Sequence, residues 1–305
     1  MGSLMDIIST LDRLPPLPAA ATRLLQILGG PDPDLDEAVR IIRTDESLTA
    51  SVLRTANSAA FGARGRTLDL RSAVVRLGAR AVSHHALELA AAPAFRDAGS
   101  AFEVRRGEQW RAAIGGARAA EELGARCGAE PERCFVAALL RDIGRLAFDL
   151  HHAKHGGGIP RPAAEEDFLA FEQRTFGIDH ATLGAELATR WGLPYEVCTA
   201  IRHHHHPPAR DEGGSVLLDV VHLADAAARF AGLGLGCDGL LYPVSDAAMD
   251  RLGVDRDDLE RLALAAAVAV FQLEAELGGA EGHDEDTPPV SHSNQIAGHP
   301  ARRTA

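Results

Sequence analysis

The stretch "AALLRDIGRLAF", Ala137–Phe148, decides how this chain is read. It lies in a pattern that predicts one helix over 131–150, and from Cys134 to Phe148 that helix is apolar except for Arg141 and Asp142 at its middle and Arg145 beyond them. A carboxylate in such a place is costly without a partner. Arg141, or Arg145 at i+3, is the parsimonious one. A helix with an adjacent His and Asp at its centre is also a familiar way to hold a catalytic metal. Here the Asp is present and the residue before it is Arg, so the question is whether the chain keeps a metal centre or only its scaffold.

Outward from that stretch, composition sets the class. The 305 residues suffice for one large or two ordinary domains. Hydrophobic residues make up 46% but aromatics only 5%, so the core is built mainly from Ala, Leu and Val. Ala and Leu are strong helix formers and β-branched runs are scarce, which predicts an all-α fold. A formal net charge of −12 repels phosphate backbones and argues against nucleic acid as a partner. The longest apolar run, near Leu262–Phe271, is too short to span a bilayer. Cys127, Cys134, Cys198 and Cys237 form no C-x-x-C pair, and no cleavable signal pattern opens the chain. The expectation is a cytoplasmic protein with reduced, buried thiols.

Along the chain, residues 1–10 read as an extension and 11–98 as a compact bundle of short helices, with Leu17, Leu24, Leu25 and Leu28 at core-like spacing. Asp34 caps one helix there, Thr44 or Asp45 the next, and two more meet at Gly78. A second helical series follows over 99–230. A loop, "GLGLGCDGLLYPVSD", and a helix over 255–277 complete a segment, 231–277, that packs on it. From 278 to 305 the chain offers little to bury and reads as a disordered tail.

Several stretches taken together, "LPPLP", "DESLTASVLRTANSAAFG", "SAVVRLGARAV", "ALLRDIGRL", "FGIDHATLGAELATRWGLPYEVCTAIRHHHHPP" and "VVHLADAAARF", resemble the HDOD domain of bacterial signalling proteins. The resemblance runs in order from about Leu11 to Phe230, with Glu46 where Pro is usual. It implies an all-helical relative of the HD phosphohydrolases, whose His and Asp residues hold metal ions that acidify an attacking water. Carried over position by position, the ligand set is depleted. Ala112 and Ala113 stand where the first His belongs, and Arg141 replaces the His of the pair. Asp142, His180, His204, His205 and Asp225 remain as residual candidates. No Gly-Tyr-Pro follows the His cluster, unlike in the HD-GYP phosphodiesterases.

A guanidinium has no lone pair to offer a metal and keeps its proton. The resemblance and the lost ligands therefore imply a non-catalytic regulator acting through signalling proteins or a small effector. No cofactor is expected, beyond weak divalent-metal binding by the remnant. Two other readings stand: an HD-type metal-dependent phosphohydrolase acting on a nucleotide or phosphoester, and a nucleotide-binding regulator using Arg141 as an anion contact.

The bland readings are equally specific. In "HHHH", His203–His206, at most two rings can face one site. Asp179 caps a helix and leaves His180 to pack or bond locally, while Asp225 pairs with Arg229 at i+4. Asn57 and Ser58 end a helix with Gly62 in the following loop, or form a partner surface that only the resemblance suggests. Gly115 and Gly116 mark close packing over the vanished histidine position. "SHHALEL" at His84–His85 reads as helix surface without an acidic partner, and "HHAKH" at 151–155 as a solvated helix end.

Overall fold

In the computed structural model, residues 4–278 are described apart from 12–13, 15–16, 58–68, 96–97, 157–158, 161, 163–165 and 240. They are helical, with no strand among them. Helix starts follow short polar side chains. Asp34, Asp45, Asp69, Asp167, Asp179 and Ser215 each accept a backbone N–H three residues on, which satisfies one donor that the first turn leaves orphaned.

The N-terminal half comprises α2 (Ala19–Leu28), α3 (Leu35–Thr44), α4 (Glu46–Ala56), α5 (Leu70–Leu77) and α6 (Ala79–Phe95). Leu17, Leu24, Leu25 and Leu28 are buried in it, as their spacing predicts. Gly78, at φ +86°, turns α5 into α6 in a conformation that side chains disfavour. Ahead of this half, α1 (Leu4–Leu11) packs on α9, burying Ile7 and donating from Thr10 Oγ1 to the Ala147 carbonyl.

The second half is built around α7 (Glu108–Cys127), which packs on α8 (Pro131–Leu140), α13 (Val216–Phe230) and α15 (Arg256–Gly278). Between them lie α9 (Arg145–His155), α10 (Phe168–Phe176), α11 (His180–Arg190), α12 (Tyr195–His203) and α14 (Asp246–Leu252). α14 follows the expected loop, 232–246, in the stretch between it and the helix expected over 255–277. Of the tail, only Gly278 is described, and it closes α15. No helix among the described residues is long and apolar enough to cross a membrane.

One correction concerns the decisive stretch. The helix expected over 131–150 is two helices, α8 and α9, joined by a tight turn at Arg141–Gly144. Its hydrogen bonds run to the third residue back: Ile143 to Leu140, Arg145 to Asp142 and Ala147 to Gly144. Gly144 shows why. A Cβ there would collide with the His180 carbonyl and lie 2.5 Å from the Gly184 nitrogen, so α11 approaches the turn backbone to backbone. Asp142 therefore sits in a turn, not in a continuous helix. A smaller correction concerns the thiols: Cys134 and Cys198 are buried, whereas Cys127 and Cys237 are only half-buried.

Candidate functional site

The turn aims Arg141 and Asp142 into the space between α7, α11, α12 and α13. Arg141 is 1% exposed. Its Nε donates to Asp225 Oδ1 at 2.7 Å, Nη1 to the Ala138 carbonyl at 2.8 Å and Nη2 to the Ala112 carbonyl at 3.0 Å. Asp142 Oδ2 lies 3.5 Å from the same Nε. A Cβ on Gly116 would collide with this guanidinium, so the glycine makes its seat. Gly115, next to it, admits Leu233 and Ala266 of α15 instead. Close packing over the vanished histidine position thus holds for the pair, but one of the two packed groups is Arg141 itself.

The expected ion pairs form, and further ones join them. Arg145 Nε stands 2.9 Å from Asp142 Oδ1, and its Nη2 donates to Asp238 Oδ2 at 2.7 Å. Arg229 Nε donates to Asp225 Oδ2 at 3.0 Å and its Nη1 to the Tyr242 carbonyl at 2.9 Å. Three buried guanidiniums thus meet three buried aspartates. Burial alone would raise both carboxyls, but Arg145 and Arg141 hold Asp142 down at about 2, and Arg229 and Arg141 hold Asp225 far below the usual carboxylate range.

Four histidines line the other side. His180 Nδ1 is 2.7 Å from Glu172 Oε2, and its Nε2 is 3.1 Å from His205 Nε2. Two imidazole nitrogens at that distance share a proton, and Glu172, outweighing burial, raises His180 and supplies it with a counter-charge. His204 Nδ1 bonds the Ile201 carbonyl at 2.6 Å, which assigns its proton to Nδ1 and leaves Nε2 as a bare lone pair. Burial pushes His204 down to about 4 and His205 well below the usual imidazole range, so both are neutral at pH 7. His222 holds the His204 carbonyl through Nδ1 and accepts from the Ser245 N–H. His205 stacks on Tyr242 at 3.6 Å between ring centroids.

The structure therefore brings Arg141, Asp142, His180, His204, His205 and Asp225 into one cluster. As expected, two of the four consecutive histidines face it; His206 turns outward to Asp167 at 3.1 Å. Asp179 caps α11 while His180 bonds Glu172, eight residues back. Asn57 closes α4, its Nδ2 donating to the Leu53 carbonyl, whereas Ser58 and Gly62 lie outside the described residues. Glu172, Asp238 and Tyr242 carry no periodic signal in the sequence. Two of them sit in the stretch read as a break.

The HD-type metal position does not fit these residues. On the resemblance its first His would fall at Ala112 or Ala113 and its second at Arg141, and the guanidinium of Arg141 spans Asp225 and Asp142. What persists is a quartet: Asp142, His180, His204 and His205 each offer one donor atom, all within 4.8 Å of one another. Carboxylate oxygen and imidazole nitrogen suit a first-row divalent ion. Asp142 Oδ1 and His204 Nε2 also lack hydrogen-bond partners among the described groups. Against this, Asp142 Oδ1 is in ionic contact with Arg145, and the cluster is charge-balanced without an added dication.

A second buried polar cluster joins the two halves and corrects the reading of His84–His85. Both rings are buried, and Glu88, at i+4 from His84, is the acidic partner which that reading passed over. His85 Nε2 is 2.5 Å from Thr55 Oγ1 and its Nδ1 3.5 Å from Glu88 Oε2. Glu88 meets Arg118 at 2.7 Å, Arg118 meets Glu121 at 3.1 Å, and Glu121 lies 3.2 Å from His84 Nδ1. His84 stacks on Phe135 at 3.9 Å. In "HHAKH", His151 is buried and only the end of the stretch is solvated.

The fold is shared with solved structures. One from Marinobacter aquaeolei VT8, provisionally named a signal transduction protein, is 26% identical at a TM-score of 0.67, over 91% of this chain and 61% of that one. One from Shewanella amazonensis SB2B, provisionally named a phosphohydrolase, is 25% identical at a TM-score of 0.60, over 89% and 98%. An HDOD domain protein of unknown function from Geobacter sulfurreducens shows the same fold at 23% identity and a TM-score of 0.60, over 90% and 95%. An uncharacterized protein of Treponema pallidum (strain Nichols) is 28% identical over 229 residues; the match covers 74% of this chain and 44% of that relative's length. The HDOD domain model itself matches residues 14–207, more than half of the sequence and the region that holds Arg141, Asp142, His180 and the His204–His205 pair. The chain belongs to the HDOD domain family.

Proposed function

We propose that this chain is a non-catalytic regulatory module, acting through a protein partner or a small effector, in which Arg141 takes the place of a metal. One observation carries the reading: a buried guanidinium bonded to Asp225 and beside Asp142, in a seat that only Gly116 leaves open. Three arginines balance three aspartates, and a proton between His180 and His205 completes the cluster. A dication on the quartet would displace that proton and still bury one uncompensated positive charge beside three guanidiniums, which is unfavourable. The two relatives named for signal transduction and for phosphohydrolysis divide on the same question and do not decide it.

A metal-dependent phosphohydrolase is the second reading, favoured by the quartet itself and by His204 Nε2, which has no hydrogen-bond partner among the described groups. Anion recognition by Arg141 has less support, since Nε, Nη1 and Nη2 all donate to the protein itself. The test is metal content by mass spectrometry on untagged protein prepared without nickel and dialysed against manganese, iron or zinc. Turnover of a chromogenic phosphodiester is followed in the same samples. The expected result is substoichiometric metal, unchanged by Asp142→Ala, and no turnover. About one ion per chain, lost in Asp142→Ala, would overturn the proposal in favour of the second reading.

A further inference from the structure

The end of α9 carries a second group of histidines, His151, His152 and His155, apart from the cluster around Arg141. His151 and His155 are four residues apart, so their rings leave the helix on one face, and the ring centroids stand 4.4 Å from each other. His152 points about 100° away from that face. Two imidazoles at i and i+4 form a chelating pair, the spacing with which a single helix face grips zinc. His155 is exposed, so an ion in solution can reach it, and His151 lies 8% exposed at the base of the pair.

Both rings are set up to offer a lone pair. His155 Nδ1 lies 3.0 Å from the His151 carbonyl, which can only accept, so the proton sits on Nδ1 and Nε2 is bare. Ligating histidines are held in this way, with the other ring nitrogen donating to a backbone carbonyl. No described group bonds His151 Nδ1. Burial lowers His151, as do His155 and Lys154, against the opposite pull of Asp6 on α1, and the neutral imidazole is the form that binds metal. Charge around the pair favours a cation. The last carbonyls of α9 form the negative end of its dipole, Asp6 adds a carboxylate from the helix that packs alongside, and Lys154 opposes them.

We propose that His151 and His155 form an exchangeable binding site for a divalent transition-metal ion, separate from the quartet around Asp142. Two imidazoles with water in the remaining positions suit nickel, copper and zinc, and not magnesium or calcium, which take oxygen ligands. With only two protein ligands the ion exchanges and is washed out by metal-free buffer. An ion here fixes the last turn of α9 and draws on Asp6, so α1 is held more firmly against the helix it packs on. The site goes beyond the regulatory reading and does not depend on it. An ion on the pair is indifferent to Asp142→Ala, whereas an ion on the quartet is not, so the two proposals fail separately.

The test is a calorimetric titration of the untagged, metal-free full chain with nickel chloride, repeated with zinc chloride and with magnesium chloride. Saturable binding of nickel and zinc is expected, and none of magnesium. His155→Ala, at an exposed side chain, is expected to weaken that binding by about tenfold or more. Its melting temperature in the presence of a chelator should match that of the unaltered chain, which shows that the fold is intact. His152→Ala, on the other face, should leave the affinity unchanged, and Asp6→Asn should weaken it about threefold by removing a nearby negative charge. Hydrogen exchange adds a readout at the helix itself: nickel should slow exchange in the last turn of α9 in the unaltered chain and not in His155→Ala. Nickel binding that persists in His155→Ala would belong to other histidines of the chain and overturns the proposal. Loss of binding in Asp142→Ala would move the ion to the quartet and overturns it too, as would no binding or equal binding of magnesium.

Discussion

The chain buries two polar clusters, and they are balanced differently. The cluster around Arg141 sets three guanidiniums against three aspartates, with Glu172 as the counter-charge to His180. The cluster around Arg118 sets one guanidinium against Glu88 and Glu121, with the His84 and His85 rings beside them. The first is sealed within the C-terminal half and fixed chiefly by its arginine–aspartate pairs. The second bridges α4, α6 and α7 and is partly open at Arg118 and Glu121. The cluster that pairs each aspartate with an arginine carries a matched charge pattern; the one that sets two glutamates against one arginine does not.

The largest test of that contrast is removal of each arginine. Arg141→Ala strands Asp225 and Asp142 in the interior and is expected to destabilise by about 3–5 kcal/mol. In a chain of this size that lowers the melting temperature by roughly 5–8 °C. Adding Asp225→Ala should recover part of the loss, since it removes a stranded charge; a double variant as unstable as the sum of the singles would break the coupling. Arg118→Ala, at a site water can reach, is expected to cost about 1–3 kcal/mol in the same denaturation assay. Equal losses at the two arginines would erase the distinction between sealed and open clusters.

Gly116 sharpens the first half of the comparison by a change of sign. Gly116→Ala gains about 1 kcal/mol of helix propensity but places a methyl group in the guanidinium's seat, so the net effect should be a destabilisation of about 1–2 kcal/mol. In an Arg141→Ala background the collision is gone, and the same substitution should stabilise by up to about 1 kcal/mol. Destabilisation of equal size in both backgrounds would mean that the glycine serves something other than Arg141.

The smallest expected effect is in acid. Burial would raise Glu121, yet His84 and Arg118 hold it at about 2, and Glu88 is likewise held below its ordinary value by Arg118 and His85. A carboxyl depressed in the folded state adds stability that is full above its unfolded value of about 4.5 and is lost as pH falls towards the folded value. The stability contributed by Glu88 and Glu121 should therefore decline between about pH 4.5 and 2, and Glu121→Gln should flatten that part of the profile. An unchanged profile in Glu121→Gln would remove this carboxylate from the Arg118 cluster.

How far the sequence reached can be followed residue by residue. Asp225 with Arg229, Asp142 with Arg145, and the Asp34, Asp45 and Asp179 caps were all legible, because each depends on neighbours three or four positions away along one helix or turn. His84–His85 was misread for want of Glu88 four residues on, and no local rule could have supplied Arg118 and Glu121 from α7. Glu172 sits eight residues before its histidine, and Asp238 and Tyr242 lie in a loop without period, so nothing nearby in the sequence pointed to the site.

By itself, then, the sequence determined the helical class, most helix starts, the family and the presence of an unligating cation beside Asp142. Side-chain chemistry and 3.6-residue periodicity are enough for those. Only the tertiary structure decided that the decisive helix breaks at Arg141, because Gly144 must let α11 approach. It alone decided that the guanidinium chooses Asp225, 84 residues away, over the adjacent Asp142. Long-range partners are set by which faces pack together, and packing is a property of the whole folded chain rather than of any stretch within it.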